Sequence, residues 1–162
     1  MNAYGEKTGR KPGPDNLESI IWSIYQRAGE VTPSRFLAAW SRANTMRRSL
    51  GQFWTDYDIW LSPTTATTAP PWGTVNLSVP GIDFDSFTQG IFALPVQYTL
   101  PHNVMGTPAI SLPLAQHSNG LPIGVQLAAS PSMDHLVLQL AVQLEEAMPW
   151  ARRVPPLHVS KL

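Results

Sequence analysis

Residues 103–127 read NVMGTPAISLPLAQHSNGLPIGVQL, and this stretch decides the fold. Ile110, Leu112 and Leu114 alternate with Ser111 and Pro113; Ile123, Val125 and Leu127 alternate with Gly124 and Gln126. A period of two turns successive side chains to opposite faces, so each run predicts a strand with one apolar face. Between the runs stands His117-Ser118-Asn119-Gly120. Asn-Gly is the strongest short hairpin signal, because both residues accept positive φ. The expectation is an antiparallel hairpin. Gln126 falls on the face opposite Ile123, Val125 and Leu127, where it is expected to satisfy neighbouring backbone rather than touch a substrate. Gly106, Pro108, Gly120, Pro122 and Gly124 read as structural, shaping turns and close backbone approach.

Working towards the C-terminus, Met133, Leu136, Leu140, Leu144 and Ala147 mark one stripe of a helix. Ser132 is its expected cap and Pro149 its end. The tail from Trp150 is basic and holds Pro155 and Pro156, which suggests a surface strap. Working towards the N-terminus, Asp58–Ser62 is a short apolar run closed by Pro63, a predicted buried strand. Thr64–Asp85 reads as a long irregular connection. Phe87–Asn103 is ambiguous, because Pro95 and Pro101 interrupt any helix there.

The first third is helical. Asp15 and Glu18 have capping-box spacing, with Asp in place of the usual Ser or Thr. Leu17, Ile20, Ile21, Ile24 and Tyr25 recur on one helical face, and Gly29 is the expected stop. Thr32 with Pro33 then opens a second helix. Phe36, Trp40, Ala43, Leu50 and Trp54 are its expected buried side. Arg35, Arg42, Arg47 and Arg48 lie on or flank the wet side, a solvated face in preference to an anion site. Helices first, then strands interleaved with helix, define an α/β chain. The expected organisation is a helical pair over 15–56, then strand, Pro-rich connection and hairpin over 57–131, then a final helix and tail over 132–162.

Composition narrows the function. The 162 residues carry eleven basic and eleven acidic side chains, so bulk charge directs the chain neither to nucleic acid nor to an anionic membrane. Six Trp and 43% hydrophobic residues argue against disorder. No run approaches the roughly eighteen apolar residues of a membrane span, and Met1–Gly13 does not read as a signal peptide. Cytoplasmic placement is the expectation. Cys is absent, so thiolate metal sites and Cys nucleophiles are excluded. His102, His117, His135 and His158 have no metal-binding spacing, and no metal or cofactor is expected. Asp83 and Asp85 beside Gly81 read as turn-formers rather than an acid/base pair. Lys7, Lys11 and Lys161 all lie in polar terminal segments that would not lower an amine pKa. Neither a hydrolase serine elbow nor a phosphate loop is present.

The motif Asn103-Val-Met-Gly106-Thr-Pro108-Ala109-Ile110-Ser111-Leu-Pro113, followed by Gly120-Leu-Pro122-Ile-Gly124-Val-Gln126, resembles the C-terminal portion of the amidase signature family. Three further segments agree in order: Thr8-Gly-Arg-Lys-Pro12 with Leu17-Glu18; Tyr57-Asp58-Ile-Trp-Leu-Ser62-Pro63-Thr64; and Leu144-Glu-Glu146 with Pro149-Trp150, Pro155-Pro156 and His158. The resemblance implies an α/β/α fold around a mixed sheet and amide hydrolysis through a serine acyl-enzyme. A second serine and a lysine would activate that serine, since a hydroxyl needs a base to take its proton.

This sequence contains neither a Gly-Gly nor a Ser-Ser pair, so the Ser-Ser-Lys machinery of the family is absent from it. It resembles the final third of an amidase, downstream of the chemistry, as an excised piece or a truncated reading frame. It is therefore expected to be inactive alone. Within the family the segment before the Asn-x-x-Gly-x-Pro-Ala motif forms part of the substrate site. The resemblance puts Tyr98, Thr99 and His102 there as substrate-binding candidates. A small amide would be the substrate of a complete enzyme only, and an N-terminal amidase portion or a second copy of the chain are the candidate partners. Two rivals stand beside this reading. One is a non-catalytic interaction module that completes a partner, with an apolar patch near Trp22, Trp40 or Trp54. The other is a complete domain with chemistry around His102 or around Asp83 and Asp85.

Overall fold

A computed structural model describes residues 1–90, 92–155 and 157–159. In chain order the elements are α1 (Asn2–Thr8), α2 (Ser19–Ala28), α3 (Pro33–Asp56), β1 (Trp60–Pro63), α4 (Phe84–Gln89), α5 (Ala93–Val96), α6 (Leu100–Met105), β2 (Ala109–Gln116), β3 (Pro122–Ala128) and α7 (Asp134–Ala147). Two compact units form: Met1–Arg42 with Ala69–Pro95, and Ala43–Thr68 with Val96–Leu162.

The second unit is built on the hairpin. β3 is the central strand of a three-stranded sheet ordered β1-β3-β2, antiparallel to both neighbours. The α/β class read from the sequence is present, with a small antiparallel sheet and flanking helices. The turn differs in detail from the Asn-Gly expectation. Gly120 alone takes positive φ (86°), while Asn119 does not. The Gly120 N–H donates to His117 O (2.9 Å) and the His117 N–H to Leu121 O (2.8 Å). This is a three-residue loop closed by a left-handed glycine, which needs only one residue without a Cβ penalty. The register also slips by one residue between Leu112 and Ala115. Pro113 sits in that bulge, where its missing N–H breaks no ladder bond.

Alternation then divides the sheet faces. Leu112 and Leu127 pack with Ala141 of α7 to form the core, with Ile59, Ile110, Leu114, Leu140, Leu144 and Trp150 around them. Val137 and Ala141 are the buried positions of α7, whereas Met133, expected in the stripe, is exposed. Ser132 is not the cap. It takes φ 69°, and Met133 occupies the cap position without a side-chain bond. β1 is an edge strand, which corrects the expectation of a buried one: Leu61 is 64% exposed and only Ser62 is buried. Arg153 in the tail donates to Pro113 O (2.6 Å). Pro156 and Lys161, singled out in the sequence, lie outside the described residues.

In the first unit, α2 buries Ile20, as its periodicity requires. The Asp15–Glu18 capping box does not form. Glu18 is itself the extended cap residue, so the helix begins one position after it and Asp15 falls outside. Gly29 is the stop, following Ala28 at the C-cap, although it keeps right-handed angles rather than the left-handed ones expected. Thr32 does cap α3: its hydroxyl accepts the Arg35 N–H (3.3 Å). The expected buried side of α3 is corrected. Phe36 and Trp40 are 59% and 53% exposed, their rings stacked 6.5 Å apart, while Ala43, Leu50 and Trp54 are half-buried and no residue of α3 is fully buried. An i, i+4 repeat brings two rings together on a helix but does not say what covers them.

The two prolines in Phe87–Asn103 are accommodated by breaking the stretch into short helices. Pro101 lies in the first turn of α6, where a missing N–H costs nothing.

Candidate functional site

The other face of the sheet is polar. In register, Ser62 of β1 and Ser111 of β2 both stand opposite Gln126 of β3. Gln126 is only 3% exposed, and its amide donates to Tyr98 O (3.0 Å) and Ser62 Oγ (3.2 Å). A buried amide needs such partners, because an unpaired one costs the full desolvation of the group. The sequence expectation that Gln126 serves backbone therefore matches its geometry. One pair further along, Thr64 Oγ1 and Ser111 Oγ share a hydrogen bond of 2.6 Å. They meet over Gly124, where a Cβ would lie 2.7 Å from Thr64 Oγ1 and 3.0 Å from Ser111 Oγ. Glycine is what lets the hydroxyls of two outer strands close over the central one.

The segment Tyr98–Thr107 lies beside this face. Tyr98 is 36% exposed, and its carbonyl is the one Gln126 holds. Thr99 is half-buried and its hydroxyl donates to Val96 O (3.2 Å). His102, on α6, is 5% exposed; its Nδ1 bonds Thr107 Oγ1 (2.8 Å) and its ring meets Trp60 edge-on at 5.5 Å. Burial pushes the His102 imidazole below its usual range, which favours the neutral ring. Neutral imidazole can accept or donate through each nitrogen according to tautomer, so His102 suits hydrogen bonding in a dry setting.

Trp60 continues into an aromatic row with Phe53 (5.6 Å), which also stacks on Tyr57 (4.8 Å). The three residues named from the resemblance thus occupy one short segment, but with different access. Tyr98 is exposed, and His102 is enclosed. Reading the sequence assigned Trp60 and Thr64 no site role beyond the motif they belong to and set Arg47 on a solvated face, yet all three touch this region or its frame. Strand alternation through Trp60, Ser62 and Thr64 is the signal that puts those three on one face.

Asp83 and Asp85 do not form a paired carboxylate. Asp83 caps α4 by accepting the Ser86 N–H (2.7 Å), and that bond holds its carboxyl below the usual range. Asp85 pairs with Arg27 at 2.7 Å. Each has a separate structural duty.

The chain matches the amidase family over residues 6–138, and it belongs to that family. It is 35% identical over 157 residues to the 6-aminohexanoate-cyclic-dimer hydrolase of Paenarthrobacter ureafaciens, covering 94% of this chain and 32% of that protein. It is 32% identical over 125 residues to an acylamidase of Rhodococcus erythropolis, covering 70% and 24%. The solved structure of a 6-aminohexanoate cyclic dimer hydrolase superposes with a TM-score of 0.87 at 34% identity, over 96% of this chain and 33% of that one. The chain therefore spans about a quarter to a third of the length of these relatives. No helix among the described residues is long and apolar enough to cross a membrane.

Proposed function

We propose that residues 1–162 serve as the C-terminal third of a cytoplasmic amide hydrolase, supplying sheet and one wall of the pocket for a small amide. Tyr98, Thr99 and His102 line that wall, with the Tyr98 ring towards substrate and His102 fixing the wall from beneath. The acyl-transfer chemistry belongs to serines and a lysine that this sequence does not contain, so the 162 residues alone turn over no amide. The observation that carries the reading is the family match over most of the chain combined with the absence of any Ser-Ser or Gly-Gly pair. The polar sheet face supports it, because Gln126 bonds both Ser62 Oγ and Tyr98 O and so ties the wall segment to the sheet.

The test is a fusion in which residues 1–162 replace the matching third of the Paenarthrobacter ureafaciens hydrolase. Amide hydrolysis by the folded fusion, and none by residues 1–162 alone, is expected. Turnover by the 162-residue chain that survives purification controls would overturn the proposal, as would a folded but inactive fusion.

A second reading is favoured by one observation: Phe36, Leu37 and Trp40 form an exposed apolar stripe on α3. In that reading the chain is a non-catalytic module that completes a partner or a second copy. Sedimentation at rising concentration separates the two, since a chain that stays monomeric excludes self-association through the stripe.

A further inference from the structure

The segment Tyr98–Thr107 contains α6, a helix of six residues. A helix that short does not persist by its own hydrogen bonds, because nucleation costs more than so few bonds return. Something outside it must hold it. Its last carbonyls have no intrahelical partner. His102 O is met by the N–H groups of Gly106 (2.8 Å) and Thr107 (3.3 Å), in a left-handed turn at Gly106. Val104 O is met from α3. Arg47 Nη2 donates to it at 2.7 Å and Arg47 Nε at 3.1 Å, across 57 residues of sequence. Arg47 Nη1 also reaches Asn44 Oδ1 (3.5 Å), one turn back on α3. At the other end of the segment, Gln126 holds Tyr98 O.

We infer that Arg47 is a positioning residue for the substrate wall: its guanidinium grips the carbonyl end of α6 and thereby sets where Tyr98, Thr99 and His102 stand. The inference rests on the wall reading given above. Three features of the geometry argue for it. The guanidinium presents two N–H groups to one oxygen, which fixes direction as well as distance. A cation at a helix C-terminus also meets the negative end of the peptide dipoles. Finally, Arg47 stands within a helix rather than on a loop, in the same compact unit as α6. The effect of Arg47 passes through α6, whose Val104 carbonyl it holds. An ammonium in its place would supply a single point donor, and a partial rescue follows from that difference.

The experiment has two arms, using Arg47→Ala and Arg47→Lys. Amide hydrogen exchange on the full chain reads the grip directly. Arg47→Ala is expected to speed exchange at Gly106 and Thr107 by about tenfold or more, a local opening that leaves Leu127 and Ala128 little changed. Arg47→Lys should restore part of that protection. In the fusion described above, Arg47→Ala is expected to raise KM for the cyclic amide by roughly fivefold or more with kcat within about twofold, and Arg47→Lys to lie between. Unchanged exchange in Arg47→Ala would overturn the positioning role itself. Faster exchange with an unchanged KM would show that α6 is gripped but is not a substrate wall, and would sink the wall reading together with this inference. A uniform rise in exchange that includes Leu127 and Ala128 would make Arg47 a stability residue only and would overturn the inference.

Discussion

Gly124→Ala tests the polar sheet face most directly. The added Cβ would lie 2.7 Å from Thr64 Oγ1, 3.0 Å from Thr64 Cβ and 3.0 Å from Ser111 Oγ. Thr64 is anchored by its own backbone, since its N–H donates to Gly124 O (2.9 Å), so its Cβ has little room to retreat. The methyl must therefore push the hydroxyls apart and break their 2.6 Å bond. Overpacking of this kind costs about 1–3 kcal/mol. Against that, alanine is favoured over glycine within a strand by roughly 0.5–1 kcal/mol. At the middle of both ranges the net is a loss of about 1 kcal/mol, a fall in Tm of roughly 2–4 °C for a chain of this size. Thermal melting followed by circular dichroism measures it. A double-mutant cycle with Thr64→Gly then assigns the cause, because that change removes two of the three clashing atoms. Most of the penalty should vanish in the Thr64→Gly background, giving a coupling of about 1 kcal/mol. A Gly124→Ala chain that melts with the parent, or a penalty unchanged by Thr64→Gly, would refute the reasoning.

Two further changes probe the same face. Gln126→Leu leaves Tyr98 O and Ser62 Oγ without their donor and is expected to cost about 1–3 kcal/mol; Gln126→Glu should cost more, since a buried carboxylate cannot donate and adds a charge. Urea midpoints at neutral pH rank the two, and equal midpoints for parent and Gln126→Leu would contradict the assigned bonds. His102 carries a depressed pKa from burial, so the unfolded chain takes up its proton first. Its contribution to stability is therefore complete above about pH 6.5 and is lost as pH falls below that value towards the folded pKa. His102→Gln should flatten the pH dependence of the urea midpoint in that window, and a slope identical to the parent's would count against the enclosed neutral ring.

How much of this was legible in the sequence depends on the range of the interaction. The hairpin was, because alternation and an Asn-Gly turn act between neighbours. So was the start of α3, since Thr32 and Pro33 meet the needs of the first helical turn locally. The family was legible for a related reason: ordered motifs survive as strings of residues whatever packs on them. Details of the caps were less so. Asp15, Glu18 and Ser132 have the right chemistry for roles they do not fill, because one residue of shift in a helix start reassigns every cap position, whereas Gly29 does end α2. Tyr98, Thr99 and His102 came from resemblance alone. Their spacing says nothing of access, which ranges from the exposed Tyr98 to the enclosed His102.

By itself, then, the sequence determined the α/β class, the hairpin, the capped α3 and membership of the amidase family. Each follows from local propensity, period or motif. Tertiary structure decided which faces are covered and which groups meet. Phe36 and Trp40 look like core on a helical wheel and are exposed, since periodicity defines a face without supplying its partner. Gln126 finds Tyr98 O across 28 residues and Arg47 finds Val104 O across 57. Hydrogen bonds of that reach depend on where β3, α3 and α6 come to rest, and no pattern along the chain encodes them.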